Sequence, residues 1–269
     1  MVENRVRSVW SCGQAALNGW LSIPDPFVAE IMSCHEFDSL TIDMQHGLID
    51  YTDLVPMLQA MHSSNVTPFA RVPWLDPAII MRVLDAGVRG VICPMINNRK
   101  QADAFVSYCR YPPQGTRSFG PIRSIVAFGA DYYDRANEDV LAFAMVETAE
   151  GYANLDAIAA TPGLDGIYVG PSDLTLGLTK GQAAPALDRE EPVMIDAIRT
   201  IQKACAGAGI RAGLHTGSAG YAIRAVSWNF DLVTLNSDTK LLDTAAAEHI
   251  GDVRSRLKNS STASAADQD

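Results

Sequence analysis

Residues 141–173 read LAFAMVETAEGYANLDAIAATPGLDGIYVGPSD. Two short apolar runs, 141–147 and 165–170, flank an amphipathic stretch, ANLDAIAAT, at 153–161. Runs of that length read as strands and the stretch between them as a helix. A strand–helix–strand unit of this kind joins two parallel strands. The first run ends on Glu147, and the second reaches Asp173 just beyond its end.

The alternation continues outward in both directions. Runs at 15–21 (AALNGWL), 39–43 (SLTID), 67–71 (TPFAR), 90–95 (GVICPM), 210–214 (IRAGL) and 231–236 (DLVTLN) bring the candidate strands to eight. Helical patterns lie between them, among them VAEIMSCHE, PAIIMRVLDAG and VMIDAIRTIQKACAGAG, and several close on a glycine suited to a left-handed cap. Eight strands with helical crossovers predict an α/β fold, a single-domain (β/α)8 TIM barrel over residues 1–257. A doubly wound open sheet is the main competitor. It is disfavoured because no GxGxxG turn follows the first strand and no Walker lysine motif occurs.

Composition narrows the function. With 48% hydrophobic and 19% charged residues, the 269-residue chain suits one domain with a large core. Its net charge of -10 comes from acids spread over the whole length, which argues against a nucleic-acid-binding face. Five widely spaced cysteines with no CxxC fit reduced, buried thiols. The start MVENRVRSVW lacks a signal-like apolar run, and no stretch approaches the roughly 18 apolar residues of a membrane span, so a cytoplasmic location is expected. Two segments break the rhythm. Residues 111–135, rich in Gly, Pro and aromatics, read as a lid or a subunit contact, and residues 258–269 as a disordered polar tail.

The active face of such a barrel is at the carboxyl ends of its strands. Asp43 and His46 follow the second run, Arg71 ends the third, Glu147 ends the fifth and Asp173 follows the sixth. Converging these charged groups on one mouth is costly in desolvation and is tolerated for binding or catalysis. Glu147 and Asp173 are hard oxygen donors suited to Mg²⁺ or Mn²⁺, or else caps of the following helices. His46, three residues after Asp43, is a candidate general base oriented by that carboxylate, or a surface histidine. Arg71 is either a clamp for a substrate carboxylate or enolate oxygen, or the partner of Asp43 or Asp85 in an ion pair. The turn at Gly170, Pro171 and Ser172 offers backbone N–H groups to an anion. None of the five lysines ends a core strand, which disfavours Schiff-base chemistry.

Taken in order, Gly19-Trp20, Asp43-Met44-Gln45-His46-Gly47, Arg71-Val72-Pro73, Leu84-Asp85-Ala86-Gly87, Pro94-Met95, Tyr111-Pro112-Pro113, Glu147-Thr148 and Gly170-Pro171-Ser172-Asp173-Leu174 resemble the 4-hydroxy-2-oxoheptanedioate aldolase family. That family also holds 2-dehydro-3-deoxyglucarate aldolases and macrophomate synthase. The resemblance spans about residues 10–257. It implies a barrel with a swapped C-terminal helix, a homotrimer or homohexamer, and a Mg²⁺, Mn²⁺ or Co²⁺ cofactor. The activity it implies is reversible aldol cleavage of a 4-hydroxy-2-oxo acid to a 2-oxo acid such as pyruvate and an aldehyde.

By the same resemblance Glu147 and Asp173 hold the metal, Arg71 stabilises the pyruvate enolate, and His46 paired with Asp43 is the base. Gly170, Pro171, Ser172, Trp20 and Leu214 face the substrate, and catalytic Asp85 lies at the mouth or reaches it across a subunit boundary. Four residues depart from the family's pattern: Gln45 for Glu, Met145 for Gln, Gln114 for Arg, and His215 at the end of the seventh strand, where the aldehyde tail would lie. An acyl-CoA lyase of the malyl-CoA or citramalyl-CoA type is the competing enzyme, with Arg99, Arg110, Arg117 and Arg123 as its basic groove. A non-catalytic ligand-binding barrel is the third reading.

Overall fold

The structure is a computed structural model that describes residues 4–266, with side chains through residue 258. Its strands are β1 (Ala16–Leu21), β2 (Ser39–Asp43), β3 (Thr67–Arg71), β4 (Gly90–Cys93), β5 (Leu141–Met145), β6 (Gly166–Val169), β7 (Arg211–Thr216) and β8 (Leu232–Ser237). They pair in parallel and in chain order, and β8 returns to β1 to close the expected barrel. Thirteen α-helices accompany them among the described residues: α1 (Arg5–Ser11), α2 (Pro26–Ser33), α3 (Tyr51–Ala60), α4 (Pro77–Asp85), α5 (Arg99–Cys109), α6 (Ile122–Phe128), α7 (Tyr132–Asp139), α8 (Ala149–Ala153), α9 (Leu155–Ala159), α10 (Pro171–Thr179), α11 (Pro192–Ala208), α12 (Ala219–Ser227) and α13 (Asp238–Ala266). None is long and apolar enough to cross a membrane.

The period-2 pleat divides the apolar residues into two cores. Outward residues such as Leu40, Ile42, Val91, Ala144, Ile167, Leu214 and Val233 pack under the helices. Inward residues Trp20, Phe69, Ile92, Phe143, Met145, Tyr168 and Leu232 fill the barrel, and Val6 and Trp10 of α1 close it from the strands' amino ends. Glycine makes room for the interior aromatics. Phe69, Phe143 and Tyr168 stand in register with Gly90, Gly166 and Gly213 on the next strand, where an added Cβ would come within 2.4, 2.3 and 2.7 Å of the ring.

The amino-terminal rim is fastened by a repeated device. Asp38, Asp165 and Asp231 each directly precede a strand. Each accepts a backbone N–H from the start of the strand before, from Leu17 at 2.8 Å, Ala142 at 2.8 Å and Ala212 at 2.9 Å respectively. The same carboxylates take Arg5, Arg110 and Arg211. Charge pairs on this rim serve stability and leave the opposite rim for chemistry.

Segment 111–135 holds α6 and the start of α7, and it lies at the amino-terminal rim. Arg123 donates to the carbonyl of Ala86 just past α4, and Asp139 at the end of α7 pairs with Arg89 before β4. A connection from a helix back to a strand must run there, so the segment is not a lid over its own barrel's mouth. Helix α13 continues through Ala266, into the stretch read from sequence as a tail; residues 267–269 lie outside the described residues.

Candidate active site

Asp43 and Arg71 are register partners at the carboxyl ends of β2 and β3, so the pleat aims both side chains into the mouth. Arg71 donates from Nε to Oδ1 at 2.8 Å and from Nη2 to Oδ2 at 2.6 Å. Trp20 on β1 adds a third side-chain donor, Nε1 to Oδ2 at 3.1 Å, and the Arg71 guanidinium lies 4.8 Å from its ring. Backbone N–H groups of Gln45 and His46 donate to Oδ1 at 3.1 and 3.3 Å. Burial alone would raise the Asp43 pKa, but the hydrogen bonds and charge of Arg71, helped by Trp20 and His46, hold it below the usual range. It is a fixed anion that orients Arg71. The ion-pair alternative for Arg71 is therefore realised, while Nη1 takes no part in the pair.

The expected Asp43–His46 pairing takes a different form. Asp43 receives the His46 backbone amide, and with its oxygens occupied by Arg71, Trp20 and two N–H groups it does not hydrogen-bond the imidazole. The His46 ring stands exposed at the rim.

Glu147 follows β5 and is buried, at 3% exposure. Its Oε1 accepts the Met95 N–H at 2.9 Å, which the left-handed turn at Met95 presents. Burial pushes its carboxyl up to about 7, opposed by the Met95 N–H and by Arg71, with the charge of Asp173 raising it further. Oε2 is left for another partner. It faces Gly170, where a Cβ would sit 2.5 Å from that oxygen. Asp173 lies in the first turn of α10 and is exposed.

A buried carboxylate with one uncommitted oxygen, raised in energy by the charge of the neighbouring Asp173, fits with that neighbour a divalent cation. Among the described residues no group of three or more His, Cys, Asp and Glu side chains forms a fuller cage, so a cation held here keeps positions for oxygen ligands from water or substrate. Helix α10 starts beside this pair. Its N-cap is Gly170, which supplies no side-chain cap, and Pro171 has no N–H, so the amides of Ser172 and Asp173 are the free donors of that turn.

Two residues from the sequence reading fall elsewhere. Leu214, expected at the substrate, is fully buried in the outward core under the helices; β7 runs two residues past it, and the pleat turns His215 inward instead. Asp85, expected at the mouth, ends α4 at the opposite rim of this chain, where it accepts from Nη2 of the buried Arg117 at 2.7 Å.

The sequence reading missed Tyr168, which appeared to be one more apolar strand residue. Its hydroxyl lies 3.2 Å from His215 Nδ1 and 2.5 Å from Thr234 Oγ1, and its ring stacks against Trp20 at 5.9 Å. His215 packs edge-on to Trp20 at 4.7 Å. Burial, reinforced by the charge of Arg71 and opposed by Asp43, pushes its pKa down to about 3, so the ring is neutral. Counting in twos from Gly170 was the available signal for Tyr168.

Comparison with known proteins gives a consistent result. The family model for HpcH/HpaI aldolase/citrate lyase matches residues 18–243. A hydroxypyruvate/pyruvate aldolase from Rhizorhabdus wittichii is 41% identical over 251 residues, covering 93% of this chain and 99% of that protein. A 5-keto-4-deoxy-D-glucarate aldolase from Shigella dysenteriae is 32% identical, covering 87% of this chain and 91% of its own length. Among solved structures, an HpcH/HpaI aldolase/citrate lyase family protein from Burkholderia cenocepacia superposes with a TM-score of 0.84 at 29% identity, covering 93% of this chain and 99% of the other.

Proposed function

Since the chain belongs to the HpcH/HpaI aldolase/citrate lyase family, and is accordingly a carbon–carbon lyase, we propose that it is a divalent-metal-dependent class II aldolase. Its reaction in this reading is the reversible cleavage of a 4-hydroxy-2-oxo acid to pyruvate, or a close 2-oxo acid, and an aldehyde. The observation that carries the reading is the convergence of an oriented guanidinium and a buried carboxylate with an uncommitted oxygen on one barrel mouth.

Glu147 and Asp173 would hold Mg²⁺, Mn²⁺ or Co²⁺, which when bound supplies a Lewis acid for the charge that develops on the 2-oxo oxygen. Arg71, fixed by Asp43, turns its remaining donors toward that same charge. The amides of Ser172 and Asp173 receive the substrate carboxylate at the head of α10, beside Gly170 and Pro171. Trp20 walls the cleft and keeps Asp43 in place. His46, exposed at the rim, takes a methyl proton from the 2-oxo acid and returns it in the cleavage direction.

What weighs against the acyl-CoA alternative is that the four arginines proposed for its groove are engaged within the chain. Arg99 pairs with Asp103, Arg110 with Asp165 and Arg117 with Asp85, while Arg123 is held on the Ala86 carbonyl.

The apolar positions of α13 support an oligomer with a swapped C-terminal helix, a homotrimer or homohexamer. Leu242, Ile250, Val253 and Leu257 fall on one helical stripe and are all exposed in the single chain.

The deciding experiment is deuterium exchange into the pyruvate methyl group, followed by NMR with Mg²⁺ or Mn²⁺ and again after chelation. Metal-dependent exchange is expected. No exchange with any divalent metal would overturn the reading, whichever aldehyde the enzyme uses.

A further inference from the structure

The interior of the barrel carries a chain of polar side chains that the aldolase reading leaves unused. Asn18 Oδ1 accepts from Ser39 Oγ at 2.8 Å and Thr41 Oγ1 at 3.0 Å, and Asn18 Nδ2 donates to Thr234 Oγ1 at 2.8 Å. Thr234 Oγ1 meets the Tyr168 hydroxyl, which meets His215 Nδ1. The chain ends there. Among the described residues His215 Nε2 has no hydrogen-bond partner, on a ring set against Trp20, the residue that also holds Asp43.

Thr234 already spends one lone pair on Asn18, so its hydrogen bond with Tyr168 has two directions. If Tyr168 donates to Thr234, its oxygen accepts Nδ1–H and His215 offers Nε2 as an acceptor. If Thr234 donates to Tyr168, the tyrosine donates to Nδ1 and His215 offers Nε2–H as a donor. Either way a neutral imidazole is held at one end and presents one free polar atom toward the mouth. Neutrality matters beside Arg71, since a second cation there would compete for the substrate's carboxylate. The loop that follows is anchored as well, because Gly217 N–H and Ser218 Oγ donate to Asp188 at 2.7 and 2.6 Å, and Asn236 Nδ2 donates to the Gly217 carbonyl at 2.9 Å.

We propose that His215, positioned by Tyr168 and Thr234, is a specificity-determining residue whose Nε2 hydrogen-bonds a hydroxyl group of the aldehyde partner and so selects short hydroxylated aldehydes over their unhydroxylated counterparts. This rests on the aldolase reading. A hydroxyl can donate to Nε2 or accept from Nε2–H, so both relay directions serve it. An alkyl group in the same place covers Nε2 and leaves it unpaired.

The test compares kcat/KM for glycolaldehyde against acetaldehyde, and glyceraldehyde against propanal, with pyruvate as donor. The ratio within each protein cancels the fraction that fails to fold. His215→Leu is expected to lower both ratios about tenfold, His215→Gln to recover most of that loss, and Tyr168→Phe to fall between. Equal losses for both members of each pair, or no rescue by glutamine, would reduce His215 to a packing residue. If the wild-type protein does not exchange the pyruvate methyl protons, the aldolase reading itself fails and takes this proposal with it; exchange with an unmoved ratio overturns the proposal alone.

Discussion

Asp43 holds Arg71 by two parallel hydrogen bonds, 2.8 and 2.6 Å long, across adjacent strands. A two-point grip of this kind fixes the plane of the guanidinium as well as its position. Arg71→Ala is expected to lower kcat by roughly 10²–10³, the usual effect of removing one stabiliser of developing charge. Asp43→Asn should cost less, about tenfold to a hundredfold, because Arg71 remains but is loosely aimed. If Asp43 acts through Arg71, the double variant is no slower than Arg71→Ala alone. Steady-state kinetics of the three proteins decides it, and multiplicative losses would mean that Asp43 acts independently.

Glu147→Gln and Asp173→Asn should each weaken Mn²⁺ binding by more than tenfold, measured by titration calorimetry at pH 8. Gly170→Ala offers a separate check. Its methyl group would press on Glu147 Oε2, the oxygen that takes no donor among the described residues, and so should weaken the metal while leaving both carboxylates present. Unchanged affinity in the two carboxylate variants would remove them as ligands.

The raised Glu147 pKa has a consequence for the metal-free protein. Its folded value, about 7, lies above the ordinary 4.5, so between those two pH values the folded state binds more protons than the unfolded state. Stability contributed by this group is therefore fully present below about 4.5 and is lost as pH rises through 7. The whole effect is on the order of 3 kcal/mol. With chelator present, the melting temperature of wild type relative to Glu147→Gln should fall as pH goes from 5 to 8. Asp43 works in the opposite sense at the acid end, since its pKa is depressed and its contribution disappears as pH drops through that lowered value. A flat difference between wild type and Glu147→Gln would show that Glu147 ionises without penalty.

Strand positions were legible in the sequence because the runs are short, apolar and bounded by helical patterns, and all eight fall within two residues at each end. The charged residues that end the second, third and fifth runs were legible for the same reason. What failed was parity and context. The resemblance sets Leu214 at the substrate, whereas the pleat of β7, which runs on to Thr216, turns it under the helices and sends His215 inward. Asp85 sits in the α4 sequence with no local sign of which rim it serves, and its partner Arg117 arrives from a segment with no strand or helix period to announce its path. Asp43 and His46 are close in sequence, but the carboxylate goes to Arg71 because the neighbouring strand presents a fork of donors at the same height.

The exposed stripe on α13 makes a prediction about assembly. Replacing Ile250 and Val253 with Asp should shift the protein to smaller species in analytical ultracentrifugation, with the barrel's circular dichroism retained. A wild-type protein that sediments as a monomer would rule out the swapped-helix oligomer.

Asp85 then has two possible employments, and mixing separates them. In its own chain it neutralises Arg117, which is buried against Tyr111 and Tyr132, so Asp85→Asn should lower the melting temperature by leaving that arginine poorly paired. If a neighbouring barrel's mouth also draws on it, a chain carrying Asp85→Asn and a chain carrying Arg71→Ala are each inactive in pure oligomers but complementary in mixed ones. There, the Arg71 of the first meets the Asp85 of the second and an intact site forms. Co-refolding the two inactive proteins should then give activity far above either parent. Activity that never exceeds the average of the parents would confine Asp85 to its pairing with Arg117 and leave each mouth built from one chain.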